Sequence, residues 1–273
     1  MKKVVHFFWG LEKKMPFFNF LSIKTFKDLH PEWRINLYLS TTSKFSPTWL
    51  TNEQNFSYSG EDYTKQAEML SDNVIYFDYE KIGFSNHLHS VHKADILRQY
   101  LMYANGGLWS DMDVIWLQPV ETIGLQGIDI TLNVHEWHSS GIMYSVGENN
   151  SFYKNILLHL KQHFDSLSYQ SAGPDILNRL YPSFSVACDM HKDLNFLNVE
   201  YNKFYPYKPD EIHNLYTKGG QDNIDKSTVC VHWFGGSPKS VPAIQQMTNK
   251  NIDIFEGAPI YKCLRAALGS TND

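Results

Sequence analysis

The chain has 273 residues, 42% hydrophobic and 19% charged, and its formal net charge is −5. This length allows one large domain or two small ones, with a substantial core. Mild acidity and the lack of a Lys/Arg block exclude nucleic acid as the main partner. No apolar run is long enough to span a membrane, and an apparent strand begins within three residues of Met1, so the sequence predicts a cytoplasmic protein without a secretory signal.

The first part of the chain reads as alternating strands and helices. A buried strand is predicted from Val4 to Trp9, ending at Gly10. Ligands of α/β sheets bind outside the carboxyl ends of strands, so Phe8, Trp9 and Gly10 are expected to face a nucleotide. A helix over 16–29, strands over 35–39 and 74–78, and a surface segment over 40–60 are predicted between this strand and residue 80.

Residues 92–117 contain the strongest local pattern. A helix is predicted first, with apolar residues on one face at Ala94, Leu97, Leu101 and Ala104. The Gly106-Gly107 pair ends it, and the following residues are predicted to continue as one strand through Val114. Trp109, Asp111 and Asp113 would then project from the same side. Two such carboxylates favour a hard divalent cation, Mg²⁺ or Mn²⁺.

A short Asp-x-Asp motif is weak evidence, but its setting strengthens it. Asp95 and Arg98 lie three residues apart on the preceding helix, away from its apolar stripe. If the strand packs beside this helix, an arginine and three carboxylates converge on one pocket.

The second part of the chain gives less specific signals. Strands over 128–134 and 140–146, a helix over 151–164 capped by Ser151, a helix opening at 172–174, a strand over 228–233 and helices within 241–268 are predicted. His232 is either a third metal ligand or a core histidine, and Lys239 either neutralises phosphate or is a solvated lysine. The neighbouring histidines His87, His89 and His92 are predicted to be solvated or to line the acceptor pocket, in preference to forming a zinc site.

One family resemblance accounts for these elements together. The string Ala94-Asp95-x-x-Arg98, the glycine pair and Asp111-x-Asp113 resembles the sugar-transferase superfamily with a DXD sugar-binding region, which includes α-mannosyltransferases, α-1,4-galactosyltransferases and clostridial toxin glucosyltransferase domains. The resemblance implies a GT-A-type, Rossmann-like α/β fold with a central mixed, mostly parallel sheet. We expect one domain over 1–273, with a nucleotide-binding half over about 1–120 and an acceptor-binding half over about 121–273.

The resemblance also implies residue roles. The catalytic set is Asp95, Arg98, Asp111 and Asp113. The metal, Mn²⁺ or Mg²⁺, would be held by Asp111, Asp113 and His232. Contacts to the nucleotide sugar would come from Phe8, Trp9, Gly10, Asp95, Arg98, Asp111, Met112, Ser237 and Lys239. Pro238 stands where relatives commonly have tryptophan, so that ring contact is not expected here.

The expected activity is retaining transfer of a hexosyl unit (galactose, glucose or N-acetylhexosamine) from a UDP-sugar to an oligosaccharide or glycolipid acceptor. By analogy alone, the pathway is bacterial surface polysaccharide synthesis: O-antigen, capsule or lipooligosaccharide. No obligate protein partner is expected, and loose attachment at the inner membrane through Lys262 and Arg265 stays open.

Three alternatives remain. One is a GDP-mannose-dependent α-mannosyltransferase. Another is a haloacid-dehalogenase-type phosphatase, which also uses an Asp-x-Asp motif. Such an enzyme usually has Thr or Val at the position of Ile115. It also needs a downstream acidic pair, to which Asp222 and Asp225 correspond only loosely. The third is a non-catalytic sugar-binding module.

Overall fold

The computed structural model describes residues 1–40 and 57–269. Residues 41–56 of the predicted surface segment over 40–60 therefore lie outside the described residues. Within the described ranges, no helix combines the length and the apolar character needed to cross a membrane.

The centre of the molecule is a seven-stranded mixed sheet. Its strands, in spatial order, are β3 (Asn73–Tyr76), β2 (Arg34–Ser40), β1 (Val4–Gly10), β4 (Gly107–Ser110), β7 (Ile142–Ser145), β6 (Ile130–Leu132) and β8 (Phe196–Asn198). Strands β1 to β4 are mutually parallel, β7 is antiparallel to both β4 and β6, and β8 is parallel to β6. A separate antiparallel pair consists of β5 (Val114–Trp116) and β9 (Cys230–His232).

Helices cover both faces of the sheet. Those in the described residues are α1 (Phe17–Leu29), α2 (Thr64–Leu70), α3 (Ser90–Ala104), α4 (Ser151–His163), α5 (Pro174–Leu180), α6 (Phe184–Met190), α7 (Tyr201–Phe204), α8 (His213–Tyr216), α9 (Val241–Gln246) and α10 (Pro259–Ala267). Side chains alternate across the sheet, so Phe7 and Leu108 belong to one buried cluster and Phe8 and Trp109 to the other. The predicted Rossmann-like α/β architecture with a central mixed, mostly parallel sheet is confirmed.

The predicted continuous strand through the Asp-x-Asp motif is wrong. Strand β4 ends at Ser110, residues 111–113 form a bend, and β5 begins at Val114 in the second sheet. Helix α1 satisfies the backbone there: Asn19 Nδ2 donates to the Met112 carbonyl at 2.8 Å, and the Val114 N–H donates to Ser22 Oγ at 3.1 Å. Because these side chains replace strand partners, the chain can leave the main sheet at the motif.

Two helix boundaries depend on local chemistry. Helix α3 ends as predicted, since Gly106 adopts a φ of 63°, the left-handed conformation that glycine tolerates. The predicted cap of α4 was one residue too late: Asn150, not Ser151, is the N-cap, and its Oδ1 accepts the Tyr153 N–H at 2.9 Å.

Candidate active site

A cavity of about 1350 Å³ opens at the edge of the sheet where β1, β4 and β6 end. This is the position at which open α/β sheets bind ligands. The bend after β4 and the segment after β9 both face this space, and helix α3 contributes Asp95 and Arg98 to its wall. All residues predicted from the sequence to contact the nucleotide sugar line this one cavity.

Two aspartates and a histidine form a compact cluster in the cavity. Val114 pairs directly with His232 in the β5–β9 ladder, which places the imidazole beside the bend. His232 Nε2 lies 3.1 Å from Asp113 Oδ1 and 3.9 Å from Asp111 Oδ2. One potential ligand atom from each residue lies within 4.8 Å of the others, and in the described part of the chain this is the one such group of three or more His, Cys, Asp or Glu.

Each carboxylate of the cluster is also held by a neighbour. Trp109 Nε1 donates to Asp111 Oδ1 at 2.7 Å, and the Gly235 N–H donates to Asp113 Oδ2 at 2.7 Å. These bonds orient both carboxylates while leaving the remaining oxygens directed toward His232. The bend is therefore preorganised by side-chain and backbone donors.

Arg98 and Asp95 form a buried ion pair next to the cluster. Arg98 Nη2 donates to Asp95 Oδ1, and Arg98 Nη1 donates to the Ser140 carbonyl and, at 2.9 Å, to Ser140 Oγ. The same Nη1 lies 3.6 Å from Asp111 Oδ2. The guanidinium thus links helix α3, the segment before β7 and the Asp-x-Asp bend, and the predicted convergence of three carboxylates and one arginine is present.

Burial and charge act in opposite directions on these groups. Burial raises the pKa of Asp95 to about 6, although Arg98 opposes the change. Burial alone would also raise the pKa of Asp113, but the nearby His232 outweighs it and holds that pKa below its ordinary value. Burial would lower the pKa of His232, yet Asp113 and Asp111 raise it to about 9. The cluster therefore attracts positive charge strongly.

The remaining predicted contacts lie at several points of the cavity wall. Phe8, Trp9 and Gly10 stand at the end of β1, and Trp9 Nε1 donates to the Lys13 carbonyl at 3.1 Å. Met112 lies in the bend. Ser237 and Lys239 line the cavity after β9, where Lys239 Nζ donates to the Asp210 carbonyl.

The sequence analysis did not identify the segment that lies behind the Asp111–Asp113–His232 cluster. Gly141, just before β7, accepts the Asp111 N–H at 2.7 Å and donates its own N–H to Tyr205 OH at 3.1 Å. A Cβ on Gly141 would lie 2.8 Å from the His232 ring. A lone glycine at the start of a predicted strand signals such close approach, and Gly141 carried that signal.

Among the described residues, neither a zinc site formed by His87, His89 and His92 nor the second acidic pair of a phosphatase is assembled in this cavity. His89 lines the cavity, whereas His92 Nε2 bonds the Ser168 carbonyl at 2.9 Å in the protein interior. Asp222 pairs with Lys262 at 2.6 Å, and Asp225 lines a different, smaller cavity. The acidic pair that a phosphatase would need is thus away from Asp111 and Asp113.

Comparison with known families agrees with the motif. Residues 19–127 match the family model described as "Glycosyltransferase sugar-binding region containing DXD motif". The matched range includes α3, the glycine pair and the Asp-x-Asp bend. This part of the chain is therefore similar to the sugar-binding region of DXD glycosyltransferases, and the predicted resemblance is confirmed.

Individual relatives are distant. A human α-1,4-N-acetylglucosaminyltransferase is 19% identical over 212 residues, covering 71% of this chain and 60% of that protein. The PaToxG glycosyltransferase structure has 17% identity and a TM-score of 0.45, covering 71% of this chain and 75% of its own. An active-site mutant of LgtC has 13% identity and a TM-score of 0.44, covering 89% and 94% respectively.

Proposed function

We propose that the chain is a metal-dependent, retaining glycosyltransferase that moves a hexosyl unit from a UDP-sugar to a glycan acceptor. The observation that carries this proposal is the cluster of Asp111, Asp113 and His232 beside Arg98, inside a cavity large enough for a nucleotide sugar. The family match supports glycosyl transfer. The retaining outcome rests on the resemblance alone.

The cluster fits a divalent cation. Ligand atoms around one six-coordinate ion at about 2.1 Å lie about 3 to 4 Å apart. The distances from His232 Nε2, 3.1 Å to Asp113 and 3.9 Å to Asp111, fall in that range. Two carboxylates and one imidazole suit Mn²⁺ or Mg²⁺. When bound, such an ion supplies positive charge that stabilises a departing diphosphate.

The chain's own residues then position the donor. Asp95 and Ser140 fix the Arg98 guanidinium at the cavity wall, so its charge needs no reorganisation when negative charge develops on the diphosphate. Asp95 accepts hydrogen bonds from sugar hydroxyls, and Lys239 adds positive charge near the phosphates. Phe8 and Trp9 pack against the base, with Gly10, Met112 and Ser237 completing the donor wall.

The proposal divides one domain between two substrates. The half over about 1–120 binds the nucleotide, and the half over about 121–273 binds the acceptor, an oligosaccharide or glycolipid. Synthesis of a bacterial surface polysaccharide, such as O-antigen, capsule or lipooligosaccharide, is the proposed context on family analogy. The cytoplasmic location, with or without loose inner-membrane attachment, stays a prediction.

Donor identity is tested by incubating the protein with Mn²⁺ and, separately, UDP-galactose, UDP-glucose, UDP-N-acetylglucosamine or GDP-mannose. We expect one UDP-sugar to be hydrolysed slowly without an acceptor and to raise the unfolding temperature in a Mn²⁺-dependent manner. Preference for GDP-mannose would select the mannosyltransferase alternative.

The same incubation separates the other classes. Release of inorganic phosphate from simple phosphate esters would indicate a phosphatase. Binding without hydrolysis or transfer for any donor would indicate a sugar-binding module. Asp222→Asn is the matched control for Asp113→Asn, because Asp222 lies outside the large cavity, and only the second change should abolish Mn²⁺-dependent hydrolysis.

A further inference from the structure

A tight turn after β6 presents a tryptophan to the cavity. The chain reverses its direction within residues 134–138, and an isolated antiparallel bridge between Val134 and His138 closes this turn. At its tip Trp137 lines the large cavity, yet 69% of the residue surface is exposed. Its indole therefore offers a broad apolar face and an N–H donor to a ligand at the cavity mouth.

The turn is held at both of its ends. The Val134 N–H donates to Asn198 Oδ1 at 2.9 Å, and Asn198 Nδ2 returns a bond to the Val134 carbonyl at 3.0 Å. On the other side the His138 N–H donates to Asn178 Oδ1 at 3.1 Å, and the buried His138 Nε2 bonds the Tyr181 carbonyl at 2.6 Å. Trp137 is therefore displayed by a fixed scaffold, so a ligand pays little ordering entropy at this point.

The turn lies at the end of the cavity opposite the proposed base position. Strand β6 is parallel to β4 and β1, because both β4 and β6 are antiparallel to β7. Its carboxyl end therefore opens on the same edge as Trp9, but three strand positions away, about 14 Å. The Asp111–Asp113 bend follows β4, between these two ends.

The order of the strand ends along this edge of the sheet would place the two proposed substrates at different ends of the cavity. With the base at β1 and the diphosphate at the bend, the transferred sugar points toward β7 and β6. Asn178 on α5 lines the cavity and accepts the His138 N–H of the turn, and Asp175, three residues earlier on α5, lines the cavity as well. Lys208 Nζ lies 3.9 Å from Glu136 Oε1 on the turn. An apolar ring beside convergent polar groups is the usual composition of a sugar subsite.

We propose that Trp137 is the stacking platform for the acceptor, and that the acceptor group bound there is a pyranoside whose C–H face packs on the indole. This inference rests on the proposed function. The hydroxyl groups at the ring edge face Asp175 and Asn178. Trp137 accordingly determines acceptor affinity and leaves donor binding and the metal cluster untouched.

Binding is tested first without relying on catalysis. Protein labelled with 5-fluorotryptophan contains seven fluorinated side chains, and the ¹⁹F signal absent from Trp137→Phe identifies Trp137. Methyl β-galactopyranoside, methyl β-glucopyranoside and methyl β-N-acetylglucosaminide are titrated in the presence of UDP and Mn²⁺. We expect the Trp137 signal to shift with at least one glycoside. A signal that stays fixed with all three overturns the proposal.

Kinetics supply the second measurement. Trp137→Ala should raise the KM for the responding glycoside roughly tenfold and leave donor hydrolysis unchanged, whereas Trp137→Phe, which keeps a ring, should lie near the wild type. Tyr76→Ala is the matched control, since Tyr76 is 62% exposed on β3 and does not line the cavity.

The outcomes separate the two proposals. Donor hydrolysis that persists in Trp137→Ala with an unchanged acceptor KM overturns the stacking role alone. Failure of every nucleotide sugar to be hydrolysed or transferred overturns the proposed function, whatever the ¹⁹F signal shows. Loss of binding to anionic lipid vesicles in Trp137→Ala, without any response to glycosides, would assign the ring to a membrane contact and also overturn the acceptor role.

Discussion

The two ends of the cavity are built differently. At the β1 end the wall is the carboxyl edge of parallel strands, where Phe8 is buried and Trp9 is partly buried. At the β6 end the wall is a surface turn that exposes Trp137 and is held by Asn178 and Asn198. The β1 end is therefore part of the packed core, whereas the β6 end is a surface turn that is anchored to the core by side-chain hydrogen bonds.

This difference matches the demands of the two proposed substrates. A nucleotide diphosphate has the same shape whatever sugar it carries, so its site can be part of the packed sheet. Acceptors differ widely, and a turn on a rigid scaffold can change its tip without disturbing the core. The Asp111–Asp113–His232 cluster lies between the two ends. Changes in it should therefore lower donor hydrolysis and transfer to the acceptor alike.

The largest effect is expected from the cluster itself. Asp113→Asn removes a carboxylate that lies 3.1 Å from His232 Nε2, and we expect donor hydrolysis and transfer to fall together by roughly a thousandfold. Steady-state rates with and without acceptor measure this. A loss of transfer alone would place Asp113 at the acceptor end and contradict the proposed geometry.

The next largest effect is expected on the free energy of unfolding, through a buried histidine at the β1 end. His6 on β1 is 1% exposed, its Nε2 bonds the Gly106 carbonyl at 2.9 Å, and burial lowers its pKa to about 4. Below pH 6.5 the unfolded chain binds a proton at His6 that the folded protein does not. The free energy of unfolding should therefore fall as the pH drops from 6.5 to about 4, by about 3 kcal/mol from this group.

Denaturant titrations across this pH range compare His6→Gln with the wild type. The variant should show a smaller fall in the free energy of unfolding between pH 6.5 and 4, whatever its stability at neutral pH. His135→Gln makes the same substitution at an exposed position on the turn at the β6 end and is the matched control. Identical slopes for wild type and His6→Gln would contradict the assignment.

The β1 end of the cavity could be predicted from the sequence because its strands and helix ends depend on residues that are close together in the chain. Strand periodicity identified β1 and β2, and the left-handed glycine identified the end of α3. The Asp-x-Asp strand was extended too far because alternation alone cannot show that Asn19 and Ser22, far away in sequence, take over the backbone bonds of the bend.

The β6 end could not be predicted because its residues are brought together only by tertiary structure. Trp137 lies in a stretch without periodicity, and its anchors come from β8 and α5, 40 to 64 residues later. His232 was left open between ligand and core histidine for the same reason, since only the β5–β9 pairing places it beside Asp113.

A third prediction tests how tightly Asp95 must be positioned. A Cβ at Gly173 would lie 2.8 Å from Asp95 Oδ2, and this carboxylate is buried and held by Arg98. Gly173→Ala should displace it and lower kcat by roughly a hundredfold. Gly127→Ala should instead leave kcat unchanged and lower the unfolding temperature, because Gly127 faces open space but has a φ of 73°. Equal kcat for both variants would show that Asp95 tolerates displacement.

The smallest effect is expected from the base contact. Trp9→Ala should raise the KM for the nucleotide sugar roughly tenfold, because an aromatic face stacks on a base with an energy of about 1 to 3 kcal/mol. Trp9→Phe keeps a ring and loses only the 3.1 Å bond to the Lys13 carbonyl, so it should retain most of the affinity. The acceptor KM should not change in either variant, which is the reverse of the pattern expected for Trp137→Ala. If both tryptophans change the same KM, the base and the acceptor do not occupy opposite ends of the cavity.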